Sequence, residues 1–416
     1  MQGKSWLPYL LLGFVTVAAF ASAAGNQFTN WDDPAYITEY RLIRGLSWDR
    51  VVAAFSNFHV ENYNPLHIVS YMVDYELWGL EPRGYVLANV VLHLAAGLLV
   101  WKVLLTLSGD RTVAGVGAVV FLVHPTRCES VVWLSERKDV LCAFFTMLTV
   151  WCNLGWSETN RREDNGTQPR NHWPLYVATV AAFVVALLSK SQVVTLPLVF
   201  VDLDIYRRRT GRGVVLDKIP LFALSAVFSI VTLQAHGGRA ETVLGAGGLG
   251  ELHFLRPLFA LPYYAMNLVW PVGSSPVYRY DDSAPFVALV GALLLGLAVW
   301  GMIRSYRRRR VFFAGTWWFF SLLLPVSGLV SNQVLVADRY LYLAVIGLAW
   351  IAGDLLSKVS SAAARRGVLA AVSVVFACLT ASYSAVWKDS ASLWTRVLEG
   401  TPDTPVAQAN LRMHYL

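Results

Sequence analysis

The chain has 416 residues, of which 56% are hydrophobic and only 15% are charged, and its formal net charge is +7. Soluble proteins carry about 25% charged residues, so this composition excludes an ordinary soluble domain. A mean hydropathy of +0.48 indicates many membrane spans rather than one anchor. The basic residues stand in short runs between apolar segments, the positive-inside pattern, so we expect no nucleic-acid partner.

The first apolar run, residues 6–24, contains no charge and is long enough to span a bilayer. It is long for a signal-peptide core, so we expect an uncleaved helix. Soon after it comes Asn30-Trp31-Asp32-Asp33-Pro34. Two adjacent carboxylates at the water edge of a membrane repel each other, which favours a catalytic base or a metal ligand; a helix stop signal is the alternative.

Hydropathy predicts eleven membrane-spanning helices and therefore an all-α polytopic fold. They cover residues 6–24, 85–107, 112–126, 140–156, 173–188, 192–206, 219–235, 284–303, 311–327, 340–356 and 367–386. The apolar segment 254–272 contains Pro257, Pro262 and Pro271, so we expect a re-entrant or interfacial helix there.

Basic loops predict the orientation. The arginines at 207–209, those at 304 and 307–310, and Lys358 with Arg365-Arg366 should all face the cytoplasm. The loops 25–84, 124–139, 236–283 and 328–339 then lie outside, together with the tail after Tyr383. We expect a multi-pass protein of the cell inner membrane, in contact with membrane lipids, with its site and C-terminus on the periplasmic side.

Two pieces outside the spans have helical patterns. In the large first loop, apolar residues recur at helical spacing, as in an interfacial helix: Val51, Val52, Ala54, Phe55 and Phe58. The tail, residues 387–416, contains two short amphipathic helices separated at Thr401-Pro402, about one tetratricopeptide-like repeat. One such repeat cannot bury its apolar face alone, so we expect it to pack on the membrane domain, residues 1–386, on a partner, or on repeats missing from this chain.

Polar residues concentrate on the predicted outer side. They are Tyr63, Asn64 and His67; Asn89 and His93; His124, Glu129, Glu136, Arg137, Lys138 and Asp139; Lys190; and Asp338 with Arg339. Each set has a simpler interpretation: a helix-capping charge run at 136–139, a hydrogen bond between helices for Asn89 and His93, a snorkelling Lys190, and an Asp338-Arg339 ion pair. Their joint placement favours an outward cavity that binds a membrane-tethered phosphate.

These motifs follow one another as in a known family. The chain resembles the GT-C superfamily of multi-spanning glycosyltransferases with polyprenyl-phosphate sugar donors, in particular the protein O-mannosyltransferase-like branch with C-terminal tetratricopeptide repeats. The motifs are Trp31-Asp32-Asp33, Tyr63-Asn64-Pro65-Leu66, Tyr85 with Asn89 and His93, His124-Pro125, Glu129-Ser130-Val131, Ser135-Glu136-Arg137-Lys138-Asp139, Leu188-Ser189-Lys190, Thr195-Leu196-Pro197, Ala337-Asp338-Arg339-Tyr340 and Trp387-Lys388-Asp389-Ser390. Two departures are Ser191 where the family commonly has proline, and a repeat region that stops at Leu416.

The resemblance implies transfer of a sugar, expected to be mannose, from a polyprenyl phosphate to a hydroxyl of a protein or an envelope glycan, with inversion. It implies Asp32 as the base. Asp33 would orient it, hold an acceptor group or share a divalent metal, Mg²⁺ or Mn²⁺. The residues expected to bind the donor phosphate are Lys190, Arg339, Arg137, Lys138, His93 and His124. Those expected to bind the acceptor or the sugar are Tyr63, Asn64, His67, Asn89, Glu129, Glu136 and Asp338.

Two other classes remain open. A transporter or flippase for a lipid-linked substrate would place charges near the bilayer midplane and repeat its span pattern. A non-catalytic membrane scaffold whose tail recruits partners gives no reason for Asp32-Asp33 and Lys190 to occur together.

Overall fold

The computed structural model describes residues 6–164, 173–209, 211–235, 255–278, 285–329 and 334–416. These residues are helical apart from loops, and their β-structure is limited to one isolated bridge between His59 and Asn62. The predicted all-α fold is therefore confirmed. Part of the predicted outer loop 236–283 lies outside the described residues.

We number eighteen α-helices in the described part of the chain. They are α1 (Leu7–Phe20), α2 (Trp48–Ser56), α3 (Pro65–Trp78), α4 (Pro82–Ser108), α5 (Arg111–Val123), α6 (Cys128–Val132), α7 (Arg137–Asp164), α8 (Trp173–Ser189), α9 (Leu196–Arg207), α10 (Arg212–Leu216), α11 (Ile219–Ala235), α12 (Arg256–Val269), α13 (Pro285–Ser305), α14 (Arg310–Leu323), α15 (Leu341–Ser357), α16 (Ala362–Ser384), α17 (Ser390–Gly400) and α18 (Pro405–Tyr415).

Each of the eleven predicted spans overlaps a helix. By length and composition, seven helical segments of the described chain could cross a membrane: Leu7–Gly25, Pro82–Ser108, Leu134–Glu158, Gly213–Ala235, Pro285–Ser305, Asp338–Ser357 and Ala362–Trp387. Three more apolar helices are shorter: Arg111–Val123, Trp173–Ser189 and Arg310–Val326. Helix α12, which contains Pro262, is not among these ten segments.

Proline sets two helix boundaries that bear on the site. The predicted span 192–206 is not one α-helix: a 3-10 turn, Ser191–Thr195, precedes α9, whose first turn contains Pro197. Proline has no N–H to donate into a preceding helical turn, so the α-helix begins here. Helix α5 similarly ends at Val123, just before His124-Pro125. Lys190 and His124 therefore lie in connections between α-helices, not within a helix.

Helices α4, α5, α14 and α15 form the centre of the bundle. Helix α5 packs against both α4 and α15, and α14 packs against α15. Gly315 in α14 and Gly347 in α15 allow that last contact, because a Cβ on Gly347 would lie 2.1 Å from the carbonyl oxygen of Gly315. Small residues let membrane helices approach this closely. Helix α15 is thereby fixed, together with Arg339 just before its start.

The bundle has two chemically different ends. Lys190 and Arg339 precede α9 and α15, and both helices run away from them. At the far ends lie the basic residues 207–208, 307–310 and Lys358, which meet around one cavity. We call the end with Lys190 and Arg339 the carboxylate end, because Asp32 and Asp33 lie beside it, and the other the basic end. Residues from each of the three basic runs therefore lie around one cavity.

The tail forms two helices, α17 and α18, which pack against each other and against earlier parts of the chain. Asp389 caps α17 by accepting a 2.8 Å hydrogen bond from the backbone N–H of Ser392. Leu393, Trp394 and Val397 of α17 are fully buried. Part of the surface that covers them comes from the loop that carries Asp32.

Candidate functional site

The loop before Asp32 is tied to the C-terminal hairpin through Asn30. The Asn30 backbone N–H donates to the hydroxyl of Ser390 at 2.9 Å, and its side-chain amide donates to the carbonyl of Asn410 at 2.8 Å. Its side-chain oxygen accepts a 2.7 Å hydrogen bond from the Trp394 indole. Both helices of the hairpin therefore fix the backbone two residues before Asp32.

Four tryptophans form a wall beside the Asp32-Asp33 pair. Trp31 stacks on Trp133 with ring centroids 4.5 Å apart, and its centroid lies 5.0 Å from that of Trp394. Trp133 also stacks on Trp387 at 5.4 Å. Three of these rings are almost completely buried, and Trp31 is partly exposed. The wall joins the first loop, the 124–139 loop and the tail in one aromatic cluster.

Asp33 is a fully engaged carboxylate. One oxygen accepts from the backbone N–H of Thr29 at 2.7 Å and from its hydroxyl at 3.0 Å. The other accepts from the backbone N–H of Ser135 at 3.1 Å and from the Ser135 hydroxyl. Burial raises the pKa of Asp33 to about 6, although these four hydrogen bonds lower it. Asp33 therefore positions the loop and has little capacity left for a substrate or a metal.

Asp32 lies in a different environment although it is the next residue. It is half-buried, and none of the described residues donates a hydrogen bond to its carboxylate. Burial raises its pKa, nearby Glu136 raises it further, and Lys138 and Arg339 lower it. A partly desolvated carboxylate without a fixed donor is suited to accept a proton.

Two cations, Lys138 and Arg339, act on Asp32, and a third, Lys190, contacts Glu136; each of the three is paired with a carboxylate. Lys138 contacts Glu136 at 2.9 Å. Lys190 pairs with Asp139 and lies 3.6 Å from Glu136. Arg339 pairs with Glu129, and its backbone N–H donates to the same carboxylate at 2.9 Å. The predicted residues Lys138, Lys190, Arg339, Glu129 and Glu136 thus form one ion network, extended by Asp139.

The three cations of this network keep access to solvent. Their side chains are 10% (Lys138), 14% (Lys190) and 12% (Arg339) exposed, whereas those of Glu129, Glu136 and Asp139 are 1–3% exposed. An ammonium group has three N–H donors and a guanidinium has five, so the pairing leaves donors available. The cations of the network are therefore partly exposed, whereas the carboxylates that hold them are buried. This arrangement is suited to binding an anion.

Arg137, predicted to bind phosphate, is instead enclosed. Its guanidinium pairs with Asp74, donates to the side chain of Asn89 at 2.7 Å and donates to the carbonyl of Tyr85 at 2.9 Å. The side chain is 1% exposed and lies 4.9 Å from the ring centroid of Tyr71. Arg137 and Asn89, the latter predicted to bind acceptor, therefore hold α3, α4 and α7 together.

The two histidines predicted to contact phosphate also have protein partners on both ring nitrogens. His93 lies 2.9 Å from the carbonyl of Leu122 and 2.5 Å from the hydroxyl of Tyr342. His124 lies 3.1 Å from the carbonyl of Leu268 and 2.8 Å from the hydroxyl of Thr126. Both rings are buried, at 0% and 1% exposed. Neither has a spare N–H for a ligand, so both stabilise helix contacts.

The remaining acceptor candidates divide into two groups. Asp338 accepts from Asn267 and Tyr278, each at 3.0 Å, and so ties α12 to the start of α15. Tyr63 donates to the carbonyl of Phe55 at 2.9 Å, which closes the loop onto α2. Neither contact supports a role in binding a ligand.

His67 and Asn64 are buried at the start of α3, closer to the ion network. The Tyr71 hydroxyl donates to the carbonyl of Leu134, so Nε2 of His67, 2.8 Å away, is the donor in their bond. Nδ1 of His67 then has no partner among the described residues. Burial, with Lys138 acting in the same direction, lowers the pKa of His67 well below its usual value, so the ring is a neutral acceptor.

Several residues of the site were given no individual role from the sequence. Thr29 and Ser135 hold Asp33, Asn30 anchors the loop, and Asp139 holds Lys190. Ser135 and Asp139 flank the predicted residues within one motif, which is the signal that could have identified them. Thr29 and Asn30 precede Trp31, and no spacing pattern marks them.

A metal shared by Asp32 and Asp33 does not fit this geometry. Both oxygens of Asp33 already accept N–H and O–H donors. Among the residues that the structure describes, no three His, Cys, Asp or Glu side chains are arranged to hold a metal ion. We derive no reaction step through a metal.

Comparisons with known proteins confirm the resemblance to protein O-mannosyl-transferases. The chain is 23% identical to protein O-mannosyl-transferase TMTC4 of Mus musculus over 98% of its length, and 23% identical to that of Homo sapiens over 81%. It is 21% identical to a protein O-mannosyl-transferase of Caenorhabditis elegans over 98% of its length. No protein-family model matches the chain.

The chain spans 63%, 54% and 59% of these three curated relatives. Among solved structures it is similar to the crystal structure of ArnT from Cupriavidus metallidurans bound to undecaprenyl phosphate, with 17% identity and a TM-score of 0.49, over 99% of this chain and 73% of that one.

Proposed function

We propose that the chain is a membrane glycosyltransferase that transfers a sugar from a polyprenyl phosphate to an acceptor hydroxyl on the non-cytoplasmic face. The observation that carries this proposal is the contrast between the two aspartates. Asp33 is held by four donors, whereas Asp32 is held by none of the described residues and lies beside Lys138 and Arg339. The names of the relatives support mannose as the sugar and a protein as the acceptor.

In the proposed reaction, Asp32 accepts the proton of the acceptor hydroxyl. The hydroxyl oxygen forms a bond to C1 of the sugar as the bond from C1 to the phosphate oxygen breaks. The electron pair of that bond leaves with the lipid phosphate. One displacement inverts the configuration at C1, so no second carboxylate acts as a nucleophile, in contrast to retaining hydrolases.

The ion network would stabilise the departing phosphate. Negative charge grows on the bridging oxygen, and fixed cations in a partly desolvated site lower its energy. Lys138, Lys190 and Arg339 are candidates because their side chains remain partly exposed. Their carboxylate partners fix them in place before the substrate binds, which limits the reorganisation that the reaction requires.

The tryptophan wall supports a role in acceptor binding. Trp31, the one partly exposed ring, directly precedes Asp32 in the chain. A sugar or peptide lying against its indole would bring the acceptor hydroxyl near the proposed base. The tail would shape this surface, since Trp387 and Trp394 pack behind Trp31.

The direct test uses purified protein and a polyprenyl-phosphate mannose labelled in the sugar. We expect free polyprenyl phosphate to be released only when a hydroxyl acceptor such as a Ser/Thr peptide is present, with the label found on the acceptor. NMR should show that the configuration at C1 of the transferred sugar is opposite to its configuration in the donor. Movement of intact donor across vesicles without release of phosphate would instead identify a transporter.

A further inference from the structure

A cavity at the basic end of the bundle plays no part in the proposed reaction. It measures about 560 Å³. Its charged lining consists of Arg207-Arg208, the four arginines at 307–310, Lys358 and one carboxylate, Asp354. These residues come from the end of α9, the α13–α14 connection and the end of α15, so three separate parts of the chain bring positive charge to one place.

Most of this charge is not neutralised within the described part of the protein. Asp354 pairs with Lys358. Arg307, Arg308 and Arg309 are exposed and have no ion pair to any described residue. Like charges held this close repel one another unless an anion lies between them. The cavity therefore has the composition of an anion-binding site.

Its surroundings indicate that the anion is attached to a lipid. Two candidate membrane spans, Pro285–Ser305 and Asp338–Ser357, end at this cavity. Ile303 and Leu355, two residues before those ends, are 74% and 54% exposed. Apolar side chains exposed this strongly next to a candidate span suit contact with acyl chains, and the cavity then lies at headgroup level.

We propose that this cavity binds the phosphate headgroup of an anionic membrane lipid. Guanidinium groups match phosphate oxygens with paired N–H donors, and arginine supplies six of the seven cations here. Helix α15 separates the cavity from Arg339 by 17 residues, about 25 Å of helix, so the site is distinct from the carboxylate end. The proposal does not depend on sugar transfer.

The test is native mass spectrometry of detergent-purified full chain titrated with phosphatidylglycerol or phosphatidylethanolamine. Arg307→Gln/Arg308→Gln removes two exposed charges from the cavity. Arg111→Gln/Arg366→Gln is the matched control, since it removes two exposed charges elsewhere. We expect wild-type protein and the control to retain phosphatidylglycerol in preference to phosphatidylethanolamine. The cavity variant should bind phosphatidylglycerol about tenfold more weakly, given the strength of charge-assisted hydrogen bonds.

Three results would overturn the proposal. Equal loss in both variants would mean that net charge, not the cavity, attracts the lipid. Equal retention of the two lipids by wild-type protein would exclude recognition of an anionic headgroup. Displacement of the lipid by inorganic phosphate at millimolar concentration would identify the ligand as a soluble anion. Equal thermal stability of the two variants serves as the check that both are folded.

Discussion

The indole N–H of Trp394 donates a 2.7 Å hydrogen bond to the side-chain oxygen of Asn30, 364 residues earlier in the chain. Asn30 lies two residues before Asp32, the proposed base. The C-terminal hairpin is therefore part of the support for the loop that carries Asp32. A change in the tail should alter the reaction itself and not only the capture of a large acceptor.

Trp394→Phe tests this connection, because it removes the N–H and keeps most of the ring. The partly buried Asn30 oxygen would lose its donor, and an unsatisfied acceptor costs up to about 1–3 kcal/mol. We expect kcat to fall by roughly tenfold with little change in donor KM, since a small displacement of a reacting group lowers rate strongly. Steady-state kinetics with a short peptide acceptor would measure the effect.

Trp350→Phe is the control for this substitution. Trp350 is also fully buried, but its indole N–H has no partner among the described residues. It should leave kcat close to that of wild type. If both variants behave alike, the loss reflects packing, and the bond to Asn30 has no role in catalysis.

Deleting residues 389–416 extends the same test. The deletion removes all three described partners of Asn30 and takes the Trp394 ring away from Trp31. We expect transfer to fall for short and long acceptors alike, while donor binding, measured by lipid titration, changes less. Unchanged transfer to every acceptor, with unchanged stability, would contradict a supporting role for the tail.

The fold could be predicted largely from the sequence because it depends on long apolar runs and on proline. The eleven predicted spans all overlap helices, and the tail helices separate at Thr401-Pro402 as expected. The start of α9 was misplaced because hydropathy does not distinguish a 3-10 turn from an α-helix. Only Pro197, in the first turn, marks the boundary.

The site was predicted in part. Sequence patterns identified the charged residues that meet at the carboxylate end, but not their partners. Arg137 and Lys138 are adjacent, yet one is enclosed by Asp74 and Asn89 and the other faces Asp32. Whether Arg137 or Lys138 is enclosed depends on contacts with residues more than 45 positions away in the chain. The local sequence pattern does not contain this information. The phosphate-binding role predicted for His93 failed to anticipate its bonds to Leu122 and Tyr342, which are also distant in sequence.

The pH dependence of the reaction should show the role of Ser135. Its hydrogen bonds lower the pKa of Asp33, which burial raises to about 6. Protonation of Asp33 below that pH would weaken its hold on the loop, so kcat/KM should fall as pH falls through about 6. Ser135→Ala removes one hydrogen bond to the anion, and the acidic limb should therefore move to higher pH.

Ser70→Ala serves as the control for Ser135→Ala, because among the described residues the Ser70 hydroxyl bonds only to the carbonyl of His67. Its pH profile should match that of wild type. An acidic limb that stays in place in Ser135→Ala would show that Asp33 does not govern the profile.

Lys190 should contribute to donor binding. In Lys190→Ala, donor affinity should fall by about 10- to 100-fold, since charge-assisted hydrogen bonds are worth about 1.5–3 kcal/mol. Lys190→Arg should recover part of the loss. The alanine variant also leaves Asp139 buried without its cation, which destabilises the fold.

The double variant Lys190→Ala/Asp139→Asn removes that unpaired charge and keeps the test valid if Lys190→Ala misfolds. It should fold and still bind donor weakly, as measured by titration with polyprenyl phosphate. Wild-type affinity in the folded double variant would reassign Lys190 to a structural ion pair.

Cysteine labelling tests the proposed orientation. In a background with Cys378, the exposed native cysteine, replaced by alanine, Asp403→Cys marks the tail hairpin and Arg366→Cys marks the start of α16. A membrane-impermeant maleimide applied to intact cells whose outer membrane has been permeabilised should label only Asp403→Cys. Labelling of Arg366→Cys alone would show that the protein has the opposite orientation in the membrane.

The most direct test of the central claim is the turnover of Asp32→Asn, with Asp49→Asn as a control that removes an acidic residue from α2, away from the ion network. Asp32 accepts no hydrogen bond from the described residues, so its amide variant should fold like wild type. Loss of a general base lowers rate by about a hundredfold or more, and we predict such a loss with donor affinity retained. Turnover of Asp32→Asn equal to that of Asp49→Asn would contradict the assignment of Asp32 as the base.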